Sequence, residues 1–297
     1  MNIKELAIDF ETNYMLRRLK PTTIEGYLRN INMHILPSLA TLQINELEFS
    51  ILDKLVKELR RKGLSNTSIV YVLATLSKMY SYAVKRKYAR YNPLLSYDYP
   101  RKNAYQYVTL TAEQVEQLLE ACKESDVMPA MLLACHYGLR RGEVCAVFEK
   151  DIVGNVLHVR RTLTRINGEN IITTPKNNKE RLIKLLNADV ELLSEYSKKR
   201  KRNVDGILLR NVDGEAVPPG MLNKKLRKYL RELKLPMVRF HDLRHTYATL
   251  MMQYGVNPKI VSTVLGHASV DITLDLYSHC SVDMQDVCLE IFKSKKP

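Results

Sequence analysis

From residue 1 to about 95, apolar side chains recur every three or four positions and no alternating run competes with that period. The spacing predicts a first helix over Leu6 to Met15. Lys20-Pro21-Thr22-Thr23 opens a second through Ile24, Tyr27, Leu28, Ile31 and Ile35, which Pro37 is expected to end. A third runs from Glu48 to Lys62, with Ile51, Leu52, Leu55, Val56 and Leu59 on one face and a stop at Gly63. The fourth opens at Ser65 or Asn66, carries Ile69, Val72, Leu73, Leu76, Tyr80, Ala83 and Val84, and ends near Asn92-Pro93. Four one-sided helices bury their stripes only against one another, so this part of the chain is a small helical bundle.

The texture then changes. Tyr97 to Val108 has no apolar period and reads as a connector. Thr111 to Gln114 is a capping box for a helix to about Lys123, and Pro129 to Tyr137 is a very apolar helix closed by Gly138. Alternating segments follow at Val156 to Arg165, Ile171 to Thr174 and Arg181 to Leu185, with a turn at Asn167-Gly168, which predicts an antiparallel sheet of about three strands. Helices return at Ala188 to Arg202, Gly220 to Leu233, Asp242 to Tyr254, Pro258 to Leu265, around Tyr277, and at Met284 to Lys293. The expected fold is mainly α with a small antiparallel β-sheet: a helical domain over 1–96, a connector over 97–108, and a mixed α+β domain over 109–297.

Charge narrows the partner. The 297 residues carry a formal +14 with a pI near 9.5, and the excess is divided between both parts: 17 basic against 9 acidic residues up to 105, 29 against 23 beyond. Lys and Arg on both domains fit one long polyanion, because phosphate contacts dominate nucleic-acid affinity. Lys78, Lys85 and Arg86 lie off the apolar stripe of the fourth helix, and Arg101 and Lys102 sit in the connector; these are the candidate DNA-backbone contacts, against the plainer reading of solvated faces. No apolar run reaches bilayer length and the first residues do not open a secretory signal, so no membrane role and a cytoplasmic, nucleoid-associated location are expected. Five cysteines without a Cys-x-x-Cys fit buried apolar groups in a reducing compartment better than disulfides or a zinc ribbon.

The chemistry-bearing stretch is Phe240 to His279. His241 and Arg244, three apart, share a helix face, so an imidazole able to pass a proton stands beside a guanidinium able to grip a phosphate oxygen. His267 follows Leu265-Gly266, where a histidine is often only a cap, and Tyr277 lies ten positions on. His241 and His245 also have a zinc spacing, but Arg244 would repel a dication and no third ligand is evident, so no metal is expected. His245 is read as helix packing. Upstream, Arg140 follows a helix-ending glycine that can aim it into a cleft, or it pairs with Glu143 at the surface; Arg141 is its nearest rival. Lys176, with Lys179 as substitute, sits in the polar loop Pro175 to Glu180 between two strands.

Gly138-Leu139-Arg140-x-x-Glu143, then His241-Asp242-Leu243-Arg244-His245-Thr246-Tyr247-Ala248-Thr249, then Leu265-Gly266-His267, then Leu276-Tyr277-Ser278-His279 resemble, in this order, the tyrosine recombinase or phage integrase family. The resemblance implies a core-binding bundle and a catalytic domain closing as a C-shaped clamp on duplex DNA. It implies six catalytic residues: Arg140, with Glu143 orienting it, Lys176 as acid for the departing 5′ oxygen, His241, Arg244, His267, and Tyr277 as nucleophile, with His279 in support. The implied reaction is transesterification through a 3′-phosphotyrosyl intermediate, needing neither metal nor nucleotide cofactor, as in mobile-element integrases and excisionases or Xer-like recombinases. The implied partners are two double-stranded recombination sites bearing four protomers, with the free protein a monomer or weak dimer and with accessory DNA-bending or directionality proteins. The stripe Met284, Val287, Cys288, Ile291 and Phe292 either packs on its own domain or, as the family implies, docks the helix 283–293 into a neighbouring protomer. A type IB topoisomerase-like relaxase, a His-ligated metal nuclease and a purely regulatory DNA-binding protein are the competing readings.

Overall fold

The computed structural model describes residues 1–101, 107–166, 168–174, 180–202, 205–266 and 269. Lys102, Lys176, Lys179, His267, Tyr277, His279 and the expected helix 283–293 lie outside the described residues. The chain divides into two compact units, Met1–Tyr105 with Arg165–Glu169, and Gln106–Thr164 with Asn170–Pro297.

In the first unit α1 (Ile3–Phe10) starts at Asn2, whose side chain accepts from the Glu5 N–H while Glu5 accepts from the Asn2 N–H. This reciprocal cap satisfies two of the N–H groups a helix start leaves unpaired. The helix continues through a π turn, Glu11–Met15, to Arg18. The next, α2 (Pro21–Asn30), does not stop at Pro37 as the sequence predicts. A π turn over Ile31–Ile35 precedes the proline and the helix resumes over Leu36–Leu39. Widening the turn accommodates a residue without an N–H and a ring that crowds the preceding turn. α3 (Phe49–Arg61) and α4 (Asn66–Lys85) complete the bundle, the latter capped by Ser65, which accepts from the Ser68 N–H. Ile3, Leu6, Phe10, Ile35, Leu52, Leu59, Ile69, Leu73 and Tyr80 form its core. Two buried polar groups are paired across the bundle: Asn30 donates to Thr75 at 2.9 Å, and the Tyr80 hydroxyl to the Ile44 carbonyl at 3.0 Å. Tyr97, in the expected connector, lies on this unit, its hydroxyl donating to Asp53 at 2.8 Å.

The second unit is built round α6 (Met128–Tyr137), which follows α5 (Ala112–Cys122) and is apolar on every side; all its residues but His136 are buried. A helix without a polar face must be covered all round; α5, α8 (Asn187–Lys198) and α10 (Phe240–Gln253) pack on it, and α9 (Pro219–Glu232) packs in turn on α5 and α10, with Leu193, Leu222, Leu226, Leu230, Phe240 and Leu243 in the shared core. Between α6 and β1 (Ile152–Val153) lies the short α7 (Arg141–Val144), and α11 (Pro258–Leu265) follows α10.

The strands correct the expectation of one three-stranded sheet. β2 (Val156–Val159) pairs antiparallel with β1 on one side and β5 (Arg181–Lys184) on the other, while β3 (Thr162–Ile166) and β4 (Glu169–Thr173) form a separate ribbon. The predicted strand 156–165 breaks because Arg160 and Arg161 both turn onto the buried Asp151, at 2.7 to 2.9 Å, and Arg161 lies over the Phe148 ring. Burying that carboxylate requires its cations close by.

Candidate active site

Three arginines from distant parts of the second unit meet at the C-terminal end of α11. Gly138 closes α6 in the left-handed conformation, φ 63°, and a Cβ there would come within 2.4 Å of Leu265, so the α6 and α11 ends approach only because this position is bare. Two residues on, Arg140 caps α7. Its backbone N–H and one of its guanidinium nitrogens both donate to Glu143, at 2.9 Å. Its other donors reach the carbonyls of Leu265 at 3.3 Å and Gly266 at 3.0 Å. Arg244, one turn into α10, donates to the carbonyls of Gly138 and of the same Leu265, both at 2.7 Å. Arg181, at the head of β5, spans Glu143 with two bonds of 3.0 and 2.8 Å and donates to the Val264 carbonyl at 2.7 Å.

A helix C-terminus presents unpaired carbonyls and a partial negative charge, which the guanidinium groups complement. Burial acts to raise the Glu143 pKa, but the Arg181 hydrogen bonds and the charges of Arg181 and Arg140 outweigh it and hold the carboxyl at about 2. Arg244 is pushed the other way, down to about 9, by its burial and then by the neighbouring Arg140, so it stays charged at neutral pH while bonded to carbonyls alone among the described residues. Arg210, equally buried, makes a useful contrast: it bonds three carbonyls and the Glu149 carboxylate, as a structural staple should. One carboxylate among three guanidiniums leaves the α11 end strongly positive, the electrostatics that stabilise developing charge on a phosphoryl group.

His241 stands one turn before Arg244 on α10. The residue is exposed, yet the protein packed around it, and then the Arg244 charge, lower its pKa. It is thus neutral at physiological pH and able to accept or relay a proton. His245 lies edge-on to His241 at 4.9 Å and against Tyr107 at 4.4 Å, and burial and then His241 lower it to about 4, in keeping with a packing role. Among the described residues no group of three or more His, Cys, Asp and Glu side chains is placed to hold a metal. Asp242, in the position a metallohydrolase would use for its base, instead binds Arg239 through both oxygens at 2.9 and 3.0 Å.

The predicted Arg140, Glu143, His241 and Arg244 therefore come together, whereas the rival Arg141 is exposed. Arg181 was not singled out by sequence; the available signal was a strand opening on an arginine directly after the lysine loop. In the first unit Lys78, Lys85 and Arg86 line one recess of about 280 Å³, joined by Arg17, Arg18, Tyr14 and Tyr82, of which the sequence reading found only the first three. Arg18 and Lys78 lie over the Tyr14 ring at 6.0 and 5.6 Å. Arg101 is exposed and is not among the residues of that recess.

Residues 108–284 match the phage integrase family and residues 3–60 its N-terminal SAM-like domain. The chain belongs to the phage integrase family. That family cleaves and rejoins DNA strands, so the protein is a tyrosine-type recombinase rather than a metal-dependent nuclease or a relaxase. Among curated relatives, it is 26% identical to a XerC-like tyrosine recombinase of Caldanaerobacter subterraneus over 91% of this chain and 76% of that protein. It is 24% identical to the ICEBs1 integrase of Bacillus subtilis over 88% and 74%. Its fold is similar to that of the Tn1549 transposon integrase solved with a circular intermediate DNA, with a TM-score of 0.84 at 23% identity, covering 98% and 99% of the two chains. It is also similar to lambda integrase solved as a tetramer on a Holliday junction, with a TM-score of 0.73 at 18% identity over 93% and 77%.

Proposed function

We propose that this recombinase cuts its DNA site by attack of the Tyr277 hydroxyl on a phosphorus held by Arg140, Arg244 and His267. The Tyr277 oxygen forms a bond to phosphorus, the bond to the 5′ oxygen breaks, and Lys176 supplies the proton that makes the leaving group a 5′-hydroxyl. His241, neutral at physiological pH, takes the phenol proton or passes it on. A phenol ionises near pH 10, so the reaction depends on cations that stabilise phenolate and the five-coordinate phosphorus. The phosphotyrosyl link keeps the energy of the broken ester, and a 5′-hydroxyl from a partner strand reverses the step.

The observation that carries the reading is that Arg140 and Arg244, 104 positions apart in the chain, donate to one carbonyl, that of Leu265, two residues before His267. Both guanidiniums are thereby aimed at the segment that leads to the motif histidine and tyrosine. The recess with Arg17, Arg18, Lys78, Lys85 and Arg86 suits the backbone of the same duplex, so the bundle acts as the core-binding domain. The Tn1549 transposon integrase, solved with a circular intermediate DNA, supports a mobile-element role, and lambda integrase, solved as a tetramer on a Holliday junction, supports two sites served by four protomers.

A suicide duplex, whose cleaved strand loses its 5′-hydroxyl end by diffusion, tests the proposal. The wild-type chain accumulates a covalent adduct and Tyr277→Phe binds the duplex without forming one; an adduct of normal yield from Tyr277→Phe refutes the assignment.

A further inference from the structure

We infer that Arg181 is a positioning residue for strand cleavage, acting through Glu143 on Arg140; the inference rests on the reading of Arg140 as a catalytic arginine given above. The two oxygens of Glu143 are shared between two guanidiniums. Oε1 accepts from Arg140 at 2.9 Å and Arg181 at 3.0 Å, and Oε2 accepts from the Arg140 backbone at 2.9 Å and Arg181 at 2.8 Å. Only 2% of the Glu143 side chain and 10% of the Arg181 side chain are exposed, against 30% for Arg140. The innermost pair is thus a buried fork, and Arg140 is the member that faces outward.

A guanidinium that holds a carboxylate with two parallel bonds fixes the plane of that carboxylate as well as its distance. The third direction of Arg181 is fixed as well, since its Nε donates to the Val264 carbonyl at 2.7 Å. The Gly266 position adds a further constraint: its φ is +64°, and a Cβ there would sit 3.3 Å from the Arg181 side chain. One side chain therefore joins the head of β5, the first turn of α7 and the end of α11. Glu143 has no freedom to swing while Arg181 grips it, and Arg140, bonded to Glu143 twice, inherits that orientation. A lysine in place of Arg181 keeps the charge but cannot reproduce the fork.

The test uses the full chain and a suicide duplex recovered from a randomised pool through its adduct with the wild-type protein. The single-turnover adduct rate at saturating duplex, the duplex affinity and Tm are measured for each variant. Displacing a group that aligns a reacting centre costs about a hundredfold, so Arg181→Lys lowers the adduct rate by about that factor and leaves affinity within about twofold. In an Arg140→Ala background the same substitution changes the rate by no more than about twofold, because the residue it positions is gone. Equal losses in both backgrounds, or a wild-type rate for Arg181→Lys, overturn the inference and make Arg181 a staple. If Arg181→Lys lowers Tm too far to assay, the neutral pair Arg181→Met with Glu143→Gln removes both buried charges together. That pair retains duplex binding and is expected to cleave slowly; cleavage at the wild-type rate refutes the inference. A wild-type chain that forms no adduct with any duplex of the pool removes the reading of the active site itself, and the inference with it.

Discussion

The recess of the bundle and the arginine cluster of the second unit are both positive, and they are positive in opposite ways. In the recess Arg17, Arg18, Lys78, Lys85 and Arg86 are exposed, and Tyr14 supplies an aromatic face beneath two of them. In the cluster Arg244 is 2% exposed, Arg181 and Arg140 are partly covered, and their bonds run to Glu143, to the Gly138 carbonyl and to the carbonyls at the α11 end. Exposed cations on flexible stems follow a phosphate backbone of any sequence and are screened by salt. Buried guanidiniums, already desolvated and oriented, need no reorganisation when charge develops on a phosphoryl oxygen. On the proposed function one region therefore governs affinity and the other governs rate.

The sharpest break between them is catalytic. Arg244→Ala or Arg140→Ala should raise the cleavage barrier by about 3–4 kcal/mol, roughly 10²–10³-fold in single-turnover rate, the usual cost of an oxyanion donor. The salt slope of duplex binding should flatten by no more than about 0.9, the share of a single phosphate contact; a larger change in slope with an unchanged rate would exchange the two roles. Next in size, the triple variant Lys78→Ala, Lys85→Ala, Arg86→Ala should flatten the slope of log affinity against log salt by about 0.9 per lost contact. Between 50 and 200 mM salt the wild type should accordingly lose roughly 40-fold more affinity than the variant, while cleavage at saturating duplex is unaltered. A third difference concerns acid. His245 is lowered from 6.5 to about 4, so the fold favours its neutral form; that contribution is complete above pH 6.5 and is lost as pH falls toward 4. Glu143 is held at about 2 against an ordinary 4.5, so its contribution is complete above pH 4.5 and is lost only as pH falls toward 2. Tm should thus decline in two stages below pH 6.5, and His245→Asn should flatten the first. The smallest effect belongs to the recess: Tyr14→Leu should weaken duplex binding by about 0.5–1 kcal/mol, the worth of an exposed cation–π contact, without touching rate.

Local signals were enough to read most of this fold. Ser65, Thr111 and Asn257 cap the helices they precede because their side-chain oxygens meet the first free N–H groups, and the all-round apolar run 128–137 could only be a central helix. Truncating one of its side chains, Leu133→Ala, should cost about 2–5 kcal/mol on that ground. The misreadings have two causes: a neighbouring turn overrides a simple rule, or residues elsewhere in the chain decide a local outcome. Pro37 does not end its helix because the π turn before it absorbs the proline, and the strand 156–165 breaks because Arg160 and Arg161 serve Asp151. In the candidate active site His241 and Arg244 were legible by their helical spacing, while Arg140 and Glu143 were singled out by resemblance to the family pattern. Arg181 was not, since its partners Glu143 and Val264 are 38 and 83 positions away and nothing local distinguishes it from a surface arginine. Arg17 and Arg18 went unnoticed for the same reason, being two more cations at a helix end until α4 packs beside them.

Mass spectrometry of the adduct trapped on a suicide duplex goes directly to the chemistry. After protease and nuclease digestion, the peptide containing Tyr277 should carry a nucleotide through its 3′ phosphate, and the released strand should end in a 5′-hydroxyl. Nucleotide attached to any other side chain, or cleavage that leaves free phosphate ends and unmodified protein, would contradict the account.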